Sequence, residues 1–211
     1  MYNYPHYKEQ DKEKLVEFMC SHPFITLIGC NKKGRIEATQ IPVLVEQKEG
    51  RLFIHGHIAR KSDHHEAFEE NPNVLALFTG AHTYVSGSWY SGNPHQASTW
   101  NYISVHARGQ IKFLDEAALI ELLKKLSLHF ENNDIASSTI YDNLPVEYKE
   151  KLIKAILAFE MEVTELDNVH KLSQNRDEKS YDNIVQQLKQ QQGDAKEIGD
   201  LMEQRKGQVF K

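Results

Sequence analysis

The chain has 211 residues, 40% hydrophobic and 26% charged, the make-up of an ordinary soluble protein with one sizeable domain and a tail or two small domains. A formal net charge of −5 argues against a broad phosphate-binding surface such as nucleic-acid binders carry. No apolar run approaches the roughly 20 residues of a membrane span, and two cysteines, Cys20 and Cys30, do not make a disulfide framework.

The opening stretch MYNYPHYKEQDKEK has no apolar segment, so a secretory signal is not expected and a reducing cytoplasm fits best. Asp11 is the expected N-cap of a first helix with Leu15, Phe18 and Met19 on one face, ended by Pro23. PFITLIGC reads as a buried strand and NKKG as a turn. RIEATQIPVLVEQ follows as a strand pair or one bent strand, with Pro42 marking an edge or bulge. After the turn KEGR, Leu52, Ile54, Gly56 and Ile58 share one strand face, and Phe53, His55 and His57 the other. A short helix is expected over DHHEAFEE and a strand over NVLALFTG. Residues 81–99 are rich in Gly, Ser and Pro and read as a long ordered loop.

WNYISVHARGQIKFL alternates again, with Ile103, Val105, Ala107 and Ile111 opposite Tyr102, Ser104, His106, Arg108 and Gln110. Asp115 caps a helix carrying Leu119, Leu122, Leu123 and Leu126 at three- and four-residue spacing. A second helix runs from about Val146 to Leu157, with Leu152, Ile153, Ile156 and Leu157 inward, and AFEMEVTEL is the last strand. From Glu178 the chain is polar and Gln-rich: a helix at YDNIVQQLKQQQ, then a terminal helix or loose tail. The pattern describes a mainly β fold with helical additions, a small antiparallel barrel. The domain expected is 1–176 with helices inserted at about 115–131 and 146–157, and 177–211 is a C-terminal helical extension or tail.

Four clusters could carry chemistry. HGHIARKS places Arg60, Lys61 and Ser62 where a strand ends: a planar fork, a point charge and a neutral donor that suit a terminal phosphate, or else a solvated strand end. His55 and His57 share a strand face with His64 and His65 just downstream, but no cysteine or carboxylate set completes a metal site at recognisable spacing, and none is assigned. The stretch GAHTYVSGSWYSGNPHQASTWNYISVHARG holds both tryptophans. Trp89, Tyr90, Trp100 and Tyr102 can wall a planar heteroaromatic ring, with Ser86, Ser88, Thr99 and Asn101 as donors, or the same rings cap a barrel end or meet a second subunit. HKLSQNR, with Lys171 and Arg176 around Ser173, Gln174 and Asn175, is either a loose linker or a segment that closes over an anion. There is no G-x-S-x-G, P-loop or G-x-G-x-x-G, and no helix-turn-helix, so no catalytic residue is singled out.

Together, MYNYPHY, HPFITLIG, ATQIPVLVE, HGHIARKS, GAHTYVSGSWY, STWNYISVHARG and KLSQNR resemble the PaiB family over residues 1 to about 188. These are called FMN-binding negative transcriptional regulators, in the flavin-binding split-barrel group that includes pyridoxamine-phosphate oxidases. The resemblance implies a six-stranded Greek-key split barrel of the FMN-binding type, a homodimer, and FMN in each groove between subunits. It implies His57, Arg60, Lys61 and Ser62 at the FMN phosphate and ribityl chain, and Thr99, Trp100 and Tyr102 near the isoalloxazine. Lys171, Gln174 and Arg176 would close the site. The chain departs from the family where Lys61, Ser62 and Asp63 stand in place of an asparagine–proline pair, and where Ala81, Gly87 and Ser98 replace prolines. A regulatory role, with DNA as partner, follows from the family's name alone. The alternatives are an FMN-dependent oxidoreductase of unknown substrate and a haem-binding or haem-degrading protein using His57 or His170.

Overall fold

Period-two burial organises the first half of the chain. In the computed structural model, which describes residues 1–92 and 95–210, helix α1 (Lys12–Ser21) precedes strands β1 (Phe24–Cys30), β2 (Ile36–Lys48) and β3 (Arg51–Ala59). Helix α2 (Asp63–Glu70) leads to β4 (Asn73–Val85), β5 (Thr99–Phe113), α3 (Glu116–Phe130), α4 (Val146–Ala155) and β6 (Ile156–Lys171). Two helices, α5 (Glu178–Lys189) and α6 (Asp194–Val209), follow. The strands close into a barrel in the order β1-β2-β3-β6-β5-β4, so the expected antiparallel barrel with helical additions is the observed one.

By contact density the chain divides into two compact units. One comprises Val16–Phe78 and His106–Leu166; the other comprises Met1–Leu15, Thr79–Val105 and Asp167–Lys211, with Lys211 itself outside the described residues.

In the first unit, β2 is one strand that serves two neighbours. Its first half pairs with β1 as far as Phe24↔Pro42, and its second half pairs with β3 from Val43↔Gly56. Pro42 lacks an N–H and sits at that changeover, where the ladder needs its donor least. Ile54, Gly56 and Ile58 face the interior with Val43 and Phe159, while His55 and His57 on the opposite face are half-buried. Asp115 accepts from Ala118 N at 2.9 Å and starts α3, whose Leu119, Leu122, Leu123 and Leu126 are all buried, packing with Tyr141 and Ala158. Helix α4 is shorter than the periodicity suggested: Ile156 and Leu157 already belong to β6, pairing with Ala59 and Ile58. Their β-branched and aliphatic side chains satisfy either pattern, and ladder hydrogen bonds decided between them.

In the second unit, the expected loop over 81–99 is partly strand. β4 continues through Ala81, Thr83 and Val85, all buried, with His82 and Tyr84 exposed between them. Small and polar residues had hidden that alternation. A single 3₁₀ turn, Gly87–Trp89, follows; Asn93 and Pro94 of the expected loop lie outside the described residues. Helices α5 and α6 bury Tyr181, Ile184 and Leu188 against Ile198 and Met202, with Tyr181 Oη donating to Met202 O at 2.8 Å. Residues 178–209 are therefore an ordered helical pair.

Two glycines test the strand packing. A Cβ on Gly109 would stand 1.9 Å from Glu162 O, and one on Gly207 in α6 would meet nothing within 4 Å. Gly109→Ala is expected to cost about 3 kcal/mol or more in urea unfolding, or to prevent folding. Gly207→Ala should raise stability by roughly 0.5 kcal/mol. Equal effects would refute the β5–β6 contact.

Candidate functional site

The cations at the end of β3 are free. Arg60 and Lys61 are exposed, and neither side chain has a hydrogen bond or ion pair among the described residues. Their backbone N–H groups, in contrast, are both engaged. Arg60 N donates to Ala155 O at 2.9 Å, and Lys61 N donates to His65 Nδ1 at 3.1 Å. Lys61 has φ +59°, the left-handed region that side chains with a Cβ enter at a cost. Ser62 caps α2: its hydroxyl donates to Ala59 O at 2.8 Å and accepts from His65 N at 3.3 Å. The hydroxyl proton proposed for a phosphate thus already has a partner. His57 stands half-buried three residues earlier on the strand, its Nδ1 buried without a hydrogen-bond partner among the described residues. Burial pushes its pKa below the usual histidine range, so the ring is neutral at physiological pH. His55 on the same face lies 3.4 Å from Glu46 Oε2 and 3.9 Å from Glu160 Oε2, held by neighbours rather than by an open site.

The cations of HKLSQNR are placed in the opposite way. Lys171 ends β6, and its ammonium donates to Thr99 Oγ1 and, at 2.6 Å, to Trp100 O. Burial, with Arg176 adding to it, lowers the Lys171 pKa. The Arg176 guanidinium stacks 4.0 Å from the centre of the Tyr90 ring and donates to Gln96 Oε1. Gln174 is fully used within the turn: its Oε1 accepts from Leu172 N at 2.7 Å and its Nε2 donates to His170 O. Ser173, with φ +62°, is buried and donates to Asn101 Oδ1 at 3.1 Å. The segment that composition suggested was loose is among the most tightly bonded in this unit, because its partners lie far away in sequence.

Around these cations stand aromatic rings. Trp100 is 54% exposed and Tyr84 49%, edge-on with centroids 6.1 Å apart, and His82 lies 6.3 Å from Trp100. Tyr102 is half-buried, and burial, with Tyr2 adding to it, raises its pKa. Burial likewise raises Tyr7, with Arg176 opposing and Tyr102 adding to the shift, so Tyr7, Tyr102 and Arg176 share one neighbourhood. Thr99, Trp100, Tyr102, Lys171, Gln174 and Arg176 therefore belong to this unit, and His57, Arg60, Lys61 and Ser62 to the other. The sequence reading missed Tyr7, His82, Tyr84 and Gln96; alternating burial of Ala81, Thr83 and Val85 was the signal for the middle two.

A clasp of charges secures the start of the chain within this unit. Glu9 Oε2 meets Arg205 Nη1 at 2.6 Å, Asn168 Oδ1 accepts from Glu9 N, and Asn168 Nδ2 donates back to Glu9 O. His170, 7% exposed, lies with Nδ1 3.1 Å from Asn168 Oδ1.

Residues 1–165 match the family described as "Putative FMN-binding domain". The chain is 32% identical over 208 residues to "Protease synthase and sporulation protein PAI 2" of Bacillus subtilis (strain 168), covering 96% of this chain and 97% of that protein. Its fold is similar to that of a flavocytochrome from Azotobacter vinelandii, with a TM-score of 0.57 at 20% identity over 86% of this chain and 78% of the other. A FAD and heme binding protein from Mycobacterium smegmatis gives a TM-score of 0.55 at 17% identity, over 77% and 72% of the two chains. At such identities the likeness is one of fold.

Burial first, then Arg205, holds the pKa of His170 down to about 4 from 6.5, with Glu9 opposing. The unfolded chain therefore takes up this proton first as pH falls, and folding stability present above 6.5 is lost towards about 4. Urea midpoints measured across that window should fall less steeply for His170→Gln than for the parent. Parallel curves would show that the imidazole is not held neutral.

Proposed function

We propose that this chain, which belongs to the PaiB family of FMN-binding split-barrel proteins, holds FMN with its phosphate on Arg60 and Lys61. The observation that carries the reading is that these two exposed cations have no partner among the described residues, on a turn whose two backbone N–H groups are already bonded. A dianionic phosphate ester is matched by a guanidinium fork and an ammonium on a fixed turn. The orphaned Nδ1 of neutral His57 is a group that a ligand hydroxyl or carbonyl could satisfy, which fits the ribityl chain of the same cofactor. Ser62 supports the turn through its cap rather than through the phosphate. Thr99, Trp100, Tyr102, Lys171, Gln174 and Arg176 have the chemistry of ring walls and polar edges, with Gln174 acting by holding its turn. When bound, the flavin supplies redox chemistry, and the protein supplies placement and electrostatics.

The working assembly is proposed to be a homodimer in the cytoplasm; among the described residues no helix is long and apolar enough to cross a membrane. The name of the Bacillus subtilis relative ties that protein to protease synthase and sporulation, and a regulatory role comes to this chain by that likeness. With a net charge of −5, such a role runs more naturally through the flavin or a protein partner than through DNA backbone contacts. A sharp gel shift with its own upstream DNA, stable at about 150 mM salt, would reverse that judgement. A haem reading rests on the neutral His57, since His170 is buried; a Soret band on adding haemin, lost in His57→Ala, would support it over FMN.

Arg60→Ala should weaken FMN by roughly tenfold or more while leaving riboflavin within about twofold, because only FMN carries the phosphate. Fluorescence quenching titrations of both flavins measure this directly. Equal losses would move the phosphate elsewhere.

A further inference from the structure

Tyr90 is 8% exposed, and its hydroxyl is buried with no hydrogen-bond partner among the described residues. A buried phenol that could not find a partner would normally have been replaced by phenylalanine, which fills the same space without desolvating an oxygen. Directly against its ring lies Arg176, which spends one of its five N–H donors on Gln96 and is oriented by the stack. Lys171 nearby has two of its three N–H donors fixed on Thr99 and Trp100, which leaves one to offer. Tyr7 brings a further phenol into the field of Arg176, with Tyr102 next to Tyr7. Here two cations and a buried phenol come together, and among the described residues no carboxylate is bonded to either cation.

We infer that Arg176, Lys171 and the Tyr90 hydroxyl form a binding site for a small planar anion, an aromatic or conjugated carboxylate, which is the class of molecule presented to the flavin. Each feature of the ligand answers an observation. The guanidinium edge left free by Gln96 takes a carboxylate oxygen pair, and the Tyr90 hydroxyl donates to the same group. The exposed rings of Trp100 and Tyr84 give a flat apolar body something to lie against. Burial of Lys171 strengthens its remaining donor by excluding competing water. The inference deepens the FMN reading and rests on it for the word flavin, but the anion site itself stands on the unit that holds Arg176.

Benzoate is the probe, and benzamide is its uncharged counterpart. FMN-loaded protein is titrated while the flavin absorption band is followed, and FMN-free protein while tryptophan fluorescence is followed. Saturable benzoate binding at millimolar concentration or tighter is expected, with benzamide at least about tenfold weaker. Arg176→Met should weaken benzoate by at least about tenfold, and Arg176→Lys should recover part of that loss. Tyr90→Phe should weaken it by about fivefold while the melting temperature stays level or rises, an outcome that a purely structural hydroxyl would not give. No saturable binding, equal binding of benzamide, or unchanged benzoate binding in Arg176→Met would each overturn the site. So would an Arg176→Met variant that loses FMN alone. If benzoate saturates the FMN-free protein while FMN fails to bind at all, the flavin reading falls and the anion site stands.

Discussion

The carboxylate of Asp177 is the point from which the aromatic cluster around Tyr90 is built. As N-cap of α5 it accepts from Ser180 N at 2.9 Å and from Ser180 Oγ at 2.6 Å. The same group accepts from Ser91 Oγ at 2.8 Å, and Ser91 N in turn donates to Ser180 Oγ. These contacts hold the Asp177 pKa at about 2, with the Ser180 side chain the largest cause, so the carboxylate is charged at any physiological pH. One residue of the segment after the Gly87–Trp89 turn is thus fixed to the helix start. One turn further along α5, Asn183 Nδ2 donates to Trp89 O at 3.2 Å. Tyr90 lies between these two ties and is buried. Its burial, and the stacking of Arg176 upon it, follow from the cap.

That arrangement explains why the sequence told so little about this half. Helix α3 announced itself because everything it needs is local: Asp115 supplies the cap, and four leucines at helical spacing supply the face. Strand β3 was equally plain from the alternation of Ile54, Gly56 and Ile58 with His55 and His57. The Ser91–Asp177, Gln96–Arg176 and Thr99–Lys171 pairs, by contrast, join residues more than seventy positions apart, and each member alone is an unremarkable polar residue. Periodicity carries no information about such pairs. Only the likeness to a family put KLSQNR among the candidate site residues before its partners were visible. Composition was actively misleading over His82 and Tyr84, where glycine and serine downstream made a strand look like part of a loop.

The two sets of cations differ in a way that separates their tasks. Arg60 and Lys61 stand in water on a rigid backbone, so a phosphate arriving there displaces solvent and breaks no protein contact. Exposed cations of this kind bind by adding charge, and their contribution weakens with salt. Lys171 and Arg176 are half-buried and already partnered, so their geometry is set before any ligand arrives and their remaining donors act where water competes less. The first arrangement suits a group recognised for its charge. The second suits a group recognised for its shape and direction as well. A negative net charge is no obstacle to either, because both sites act over a few ångströms.

Backbone strain marks both places. Among the described residues, five other than glycine have positive φ: Glu49, Lys61, Asn132, Asn133 and Ser173. Glu49 lies in a tight turn between β2 and β3, and the two asparagines follow the end of α3, where that residue type enters the left-handed region at little cost. Lys61 and Ser173 have no such excuse, and each sits inside one of the two cation clusters. At Lys61 the chain accepts that conformational cost where it sets a second positive charge beside Arg60. Ser173 is held in place by Asn101 through its hydroxyl, and by Arg176 N, which donates to its carbonyl at 3.0 Å. The turn it makes is what swings Arg176 back over Tyr90. Strain of this kind persists only where surrounding bonds over-determine it, and it collects where a side chain must be aimed rather than merely packed.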